Sequence, residues 1–135
     1  MNGLQAVQDL ALFLHKKQKI KVFKFEKMVD FSGEYIVVNH LPFVFGKEVN
    51  DSNILNLNIH VPTLVSGNAD IIRLTEIFEK ICNLIPFSIE QEDEMGVLIN
   101  GAYYSIESVS QPMEDIDSTY FLNIKVKIIT NQIKL

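Results

Sequence analysis

A chain of 135 residues that is 47% hydrophobic and 21% charged, with 6 glycines and 4 prolines, has apolar side chain for one core and no length for a second. That composition excludes disorder and collagen-like repeats, and one cysteine, Cys82, excludes a disulfide framework or a CxxC metal or redox site. With 12 basic against 17 acidic residues the net charge is −5, which disfavours a protein that wraps nucleic acid and leaves only a local basic patch for such contacts.

Leu4, Val7, Ala11 and Leu14 recur at three- and four-residue steps, so a helix is predicted over 2–17. This apolar run contains Asp9, has no basic leader before it and is too short for a membrane span, so no export or anchoring segment is expected. Two β-branched and aromatic stretches follow, at 20–25 and 35–40, with Phe31-Ser32-Gly33-Glu34 supplying a turn between them. Residues 41–53 begin apolar at Leu41-Pro42-Phe43-Val44-Phe45 and end turn-like. They read either as an interaction loop needing a partner surface or as an edge strand finishing against the core.

Clean alternation of Leu55, Leu57, Ile59 and Val61 with Asn56, Asn58 and His60 predicts a strand over 55–61 with one wet face. Ser66-Gly67-Asn68 offers capping chemistry and Asp70 suits a positive helix end, ahead of an apolar stripe from Ile71 to Ile85 that predicts a helix over 69–84, stopped by Pro86. Asn100-Gly101 between Val97-Leu98-Ile99 and Ala102-Tyr103-Tyr104-Ser105-Ile106 predicts a hairpin over 97–106. Leu122, Ile124, Val126 and Ile128 then alternate with polar residues in a last strand over 121–130. One apolar stripe per helix and one apolar face per strand make this a single α+β domain, a two-layer sandwich of a mostly antiparallel sheet with two helices packed on one face.

Signatures of enzymes are missing from the sequence: it holds no GxSxG, GxxxxGK[ST] or GxGxxG, and the expectation is a non-enzyme without cofactor. A metal site could assemble from His40 and His60 if their strands were neighbours. Otherwise the three histidines, His15 included, read as rim residues, and no metal is expected. The acidic groups Glu90, Glu92, Asp93 and Glu94, and Glu114, Asp115 and Asp117, lack EF-hand spacing and read as solvated loops. Cys82 lies on the apolar stripe and reads as a small hydrophobe.

Charge is distributed unevenly. Residues 1–27 hold six lysines against two acids, whereas residues 88–118 hold eight acids and no Lys or Arg. Opposite surfaces on one small domain suit either plain solubility or head-to-tail contact between identical copies.

The order of elements resembles the tail terminator and tail-completion (neck, head-tail joining) proteins of long-tailed bacteriophages. The resemblance covers the N-terminal helix, the strand Tyr35-Ile36-Val37-Val38-Asn39, the strand from Leu55 to Val61-Pro62, the helix from Asp70 to Leu84, and the strands around 97–106 and 121–130. It implies a non-enzymatic virion part, assembled in the bacterial host cytoplasm. Copies, typically six, would form a ring that caps the tail tube and receives the head connector, with no sequence-specific nucleic-acid contact and no membrane. Under it, Lys16, Lys17 and Lys19 are expected to meet Glu114, Asp115 and Asp117 of the next copy, and Phe43 and Phe45 to reach the tube or a neighbour. The alternative from another class is a small regulatory or ligand-binding α+β domain, acting as a dimer with a pocket between sheet and helices.

Overall fold

The computed structural model describes residues 2–40, 53–88 and 96–130. Helix α1 (Gly3–Lys17) starts where the Asn2 side chain accepts the Gln5 amide at 2.8 Å, and it ends at Gln18, whose amide group donates to the carbonyls of Leu14 and Ile20. Strands β1 (Lys21–Lys24), β2 (Tyr35–His40) and β3 (Asn53–Pro62) precede helix α2 (Ile71–Leu84). Strands β4 (Val97–Ile99), β5 (Ala102–Val109), β6 (Met113–Glu114) and β7 (Thr119–Thr130) follow it. The α+β class is as the periodicities indicate, with both helices packed against one mixed sheet ordered β1-β2-β3-β7-β5-β4 and β6 paired to β7.

Leu55, Leu57, Ile59, Leu122, Ile124, Val126, Tyr104 and Ile106 from the sheet, with Leu10 and Leu14 of α1 and Leu74, Ile77 and Ile81 of α2, form the main core. Helix α1 touches β1 at one edge of the sheet and β4 at the other, and Asn100 of the β4–β5 turn donates to Asp9 at 3.2 Å. A flat six-stranded sheet is too wide for that, so the strands curl around α1. Asn100 (φ 48°) and Gly101 (φ 89°) take the left-handed geometry that the hairpin turn needs.

Several boundaries differ from expectation, and the mostly antiparallel sheet has one parallel pair. Strand β1 pairs with β2 in parallel, so Phe31-Ser32-Gly33-Glu34 is not a hairpin turn; it ends a connection that runs back from the bottom of β1 to the top of β2. That connection crosses the sheet face opposite the helices, where Phe31 packs edge-on against Phe23 (5.1 Å between centroids) and Tyr35 (5.8 Å). Helix α2 is capped by Asp70, which accepts the Arg73 amide at 3.1 Å, while Ser66 serves the preceding turn by accepting from Asn68. The last strand begins two residues early, at Thr119, because it pairs with the short strand β6 in the segment read as an acidic loop.

The face away from the helices is wet only in its middle. There the period-two asparagines explain themselves: Asn56 donates to Asn39 (2.9 Å) and Asn123 donates to Asn56 (3.1 Å) and Asn58 (2.7 Å). Lys125 donates to Asn56 and Asn123, at 2.9 and 2.6 Å. Cross-strand polar pairs therefore tie β2, β3 and β7 together on the side the core does not reach.

Candidate functional site

At the top of this second face one register line runs from Lys21 through Tyr35 and His60 to Phe121 and Met113. Side chains at paired positions share a face, which brings three rings into one stack. His60 lies between Tyr35 (centroids 4.4 Å apart, planes 9° apart) and Phe121 (4.9 Å, 19°). Only 6% of the histidine remains exposed, so it is no rim residue of a solvated face.

The lid over His60 is the tight turn between β6 and β7. Asp115 donates its amide to the Thr119 carbonyl (2.9 Å), Ile116 donates to the Asp115 side chain (2.7 Å), and Ser118 takes a left-handed conformation at φ 63°. Thr63 also donates to the Ser118 carbonyl at 3.1 Å, anchoring the turn to the end of β3. The result aims Asp115 and Asp117 inward. Asp115 Oδ2 lies 3.6 Å from His60 Nδ1, and Asp117 accepts the hydroxyls of both Tyr35 and Thr119 at 2.5 Å.

Proton positions follow from this geometry. Thr119 has one hydroxyl hydrogen and gives it to Asp117, so toward His60 Nδ1, 3.1 Å away, its oxygen acts as acceptor and Nδ1 carries a hydrogen. Burial lowers the His60 pKa, against the opposing pull of Asp115 and Asp117, and Lys27 adds to the lowering. For Asp117, burial pushes upward, yet hydrogen bonds from Thr119 and Tyr35 prevail and hold the carboxyl below its usual range. Tyr35 is raised, first by burial and then by donating to Asp117.

This arrangement is a pairing of a buried imidazole with two oriented carboxylates. Its hydroxyls, on Thr119 and Tyr35, both spend their protons on Asp117, so among the described residues neither is a free nucleophile beside the imidazole. Among the described residues, donor atoms of His60, Asp115 and Asp117 lie within 4.8 Å of one another, a spacing from which a metal could be held. The strands of His40 and His60 are neighbours, yet no shared site forms, because the register pairs His40 with Leu55 and His60 with Tyr35. His40 sits five residues along β2 from Tyr35, about 17 Å at strand rise, and its ring faces Phe25 at 6.2 Å and the start of α1 at Gly3.

Lys16, Lys17 and Lys19 fall at the end of α1 and the entry to β1. There they line an open groove of about 540 Å³ with His15, Ile20 and Lys21. A second groove of about 620 Å³ continues past Phe31 to Glu34, Arg73 and Lys80. Arg73 is not free for an anion: it grips both oxygens of Glu34 and donates to Glu76 at 3.1 Å. Glu114 is exposed on β6, whereas Asp115 and Asp117 are half-buried and engaged within the chain. Phe43 and Phe45, with the rest of the 41–53 loop as far as residue 52, lie outside the described residues, as do Glu90, Glu92, Asp93 and Glu94. Cys82 is half-buried against the core with its thiol pKa pushed up by burial, in keeping with a packing role.

We find no family model, no curated protein and no solved structure that matches this chain.

Proposed function

We propose that this chain is a ring-forming structural part of a long-tailed bacteriophage or prophage, a tail terminator or neck protein that caps the tail tube and joins it to the head connector. One observation carries the reading: a lysine surface at the end of α1 and the start of β1 (Lys16, Lys17, Lys19, Lys21) and an acidic turn following β6, with Glu114 exposed, lie on different elements at the same end of the sheet. From β1 to β6 is four strand spacings, about 19 Å along the sheet, too far for the two to neutralise each other within one copy. A head-to-tail contact needs two such unlike patches. Exposed apolar side chains at Leu64, Val65, Ile71 and Ile72, around the start of α2, add surface that a partner would cover.

The pairing expected from sequence needs refining. Asp115 and Asp117 serve His60, Tyr35 and Thr119 in their own copy, so the carboxylate offered to the neighbouring lysines is chiefly Glu114. The ligand-binding alternative is less well supported, since the space between helices and sheet is occupied by the main core. Among the described residues no helix is long and apolar enough to cross a membrane.

Sedimentation velocity and negative-stain imaging test the reading, on the chain alone and mixed with the tail-tube protein encoded beside it. Rings or capped tubes that vanish with Lys16→Glu, Lys17→Glu and Lys19→Glu combined, and return when Glu114→Lys is added, are the expected result. Flanking genes for metabolic enzymes, or a chain that stays monomeric and leaves tubes uncapped, would overturn it.

A further inference from the structure

We propose that His60, Asp115 and Asp117 form a binding site for a divalent cation of the zinc or manganese class, closing the β6–β7 turn onto β3. The site uses the inward carboxylates of the turn next to Glu114, but the inference does not rest on the ring reading.

Three features carry it. The donors come from two segments that the fold brings together, one imidazole nitrogen from β3 and two carboxylates from the turn, all within 4.8 Å. Two ligands bound tetrahedrally at zinc distances sit about 3.4 Å apart, and His60 Nδ1 and Asp115 Oδ2 are already at 3.6 Å. The remaining closure falls on carboxylates in a short turn, where 35% of the Asp115 side chain stays exposed.

The surroundings orient the donors as metal ligands usually are. Asp117 is held by the Tyr35 and Thr119 hydroxyls, one on each oxygen, and each oxygen keeps a further lone pair for an ion. Stacking between Tyr35 and Phe121 fixes the plane of the imidazole. A neutral imidazole with two carboxylates has a charge of −2, which matches a divalent ion; the nitrogen donor favours Zn²⁺ over Ca²⁺ or Mg²⁺, and the carboxylate majority also suits Mn²⁺. Binding requires the Nδ1 lone pair. The ring proton therefore passes from Nδ1 to Nε2 and the contact with Thr119 is exchanged for the metal, while Thr119 keeps its bond to Asp117. Lys27 is the nearby cation that opposes an ion here: its ammonium lies 6.0 Å from the Tyr35 ring centroid.

The test is calorimetric titration of the EDTA-treated full chain with ZnCl₂ and MnCl₂, with CaCl₂ in parallel, on a His15→Gln background that removes an exposed imidazole at the end of α1. Saturable binding of Zn²⁺ or Mn²⁺ at one ion per chain is expected, with a raised melting temperature and a shifted His60 ¹⁵Nδ1 resonance. Asp115→Asn should weaken binding by about tenfold or more, and Tyr35→Phe by about tenfold through the loosened Asp117 carboxylate. Asp115→Asn is partly exposed and keeps the fold, as circular dichroism should show. No saturable binding of either ion at millimolar concentration, a His60 resonance that does not move, or Asp115→Asn binding within threefold of the parent would each overturn the proposal.

Discussion

Tyr35 lies flat against His60, 4.4 Å between ring centroids and 9° from parallel, while its hydroxyl reaches past the imidazole to Asp117. One side chain thus does two separable things. The ring covers a histidine that strand alternation alone would leave in solvent, and the hydroxyl fixes the turn above it.

Tyr35→Phe keeps the first role and removes the second. A hydrogen bond to a carboxylate contributes about 1.5 to 3 kcal/mol, and Asp117 retains its second partner, Thr119, so a loss near the lower end is expected. Urea denaturation monitored by circular dichroism measures it. Tyr35→Leu, which also removes the stack, should cost clearly more; equal losses would mean that ring stacking contributes nothing.

Leu10 and Leu12 of α1 are two residues apart and sit in opposite surroundings, the first fully buried and the second 52% exposed. Truncating Leu10 leaves a cavity where α1 meets the curled sheet, so Leu10→Ala should cost about 2–5 kcal/mol. Leu12→Ala should change stability by about 0.5 kcal/mol or less. Equal denaturation midpoints for the two variants would contradict the packing of α1 inside the sheet.

Gly96 enters β4 with φ 116°, and a Cβ there would stand 2.2 Å from the Tyr104 carbonyl oxygen. Both the backbone conformation and the close approach exclude a side chain. Gly96→Ala should destabilise by about 2 kcal/mol or more, whereas Gly33→Ala shares the positive φ but has open space around it and should cost less. Thermal melts of the two variants rank them.

How far the sequence could be read depended on whether a feature was local. Asn100-Gly101 needs only its own dihedrals to make a hairpin, and Leu55 to Val61 needs only its alternation to define a core face. The direction of β1 is not local: glycine and serine before Tyr35 signal a bend, but a bend suits a hairpin and a connection crossing the sheet equally well. The alternation that defines the core face also puts His60 on the opposite one. What buries it comes from Asp115–Thr119, 55 residues later, and from Phe121 across the β3–β7 register. A trace was present in Asp115-Ile116-Asp117-Ser118-Thr119, whose short polar side chains suit a tight turn just before a strand. Its position over His60 depends on pairing that no local pattern specifies.

Glu34 and Arg73 set how part of the stability depends on pH. Arg73 binds both oxygens of Glu34 and lowers its pKa below the ordinary 4.5, mainly through the hydrogen bonds and against a smaller effect of burial. A carboxyl with a lowered folded pKa contributes fully above its unfolded value and loses that contribution as pH falls through the folded value. The stability difference between the parent and Glu34→Gln should therefore be greatest above pH 4.5 and shrink as pH drops further. Both side chains are 30% exposed at the surface, so screening limits the plateau to about 1 kcal/mol. Urea unfolding of both proteins at intervals between neutral and acid pH measures the curve, and because Glu34→Gln leaves every other carboxyl in place, Asp117 included, the subtraction isolates this pair. A difference that grows on acidification would show that Glu34 is destabilised, not stabilised, by where the fold puts it.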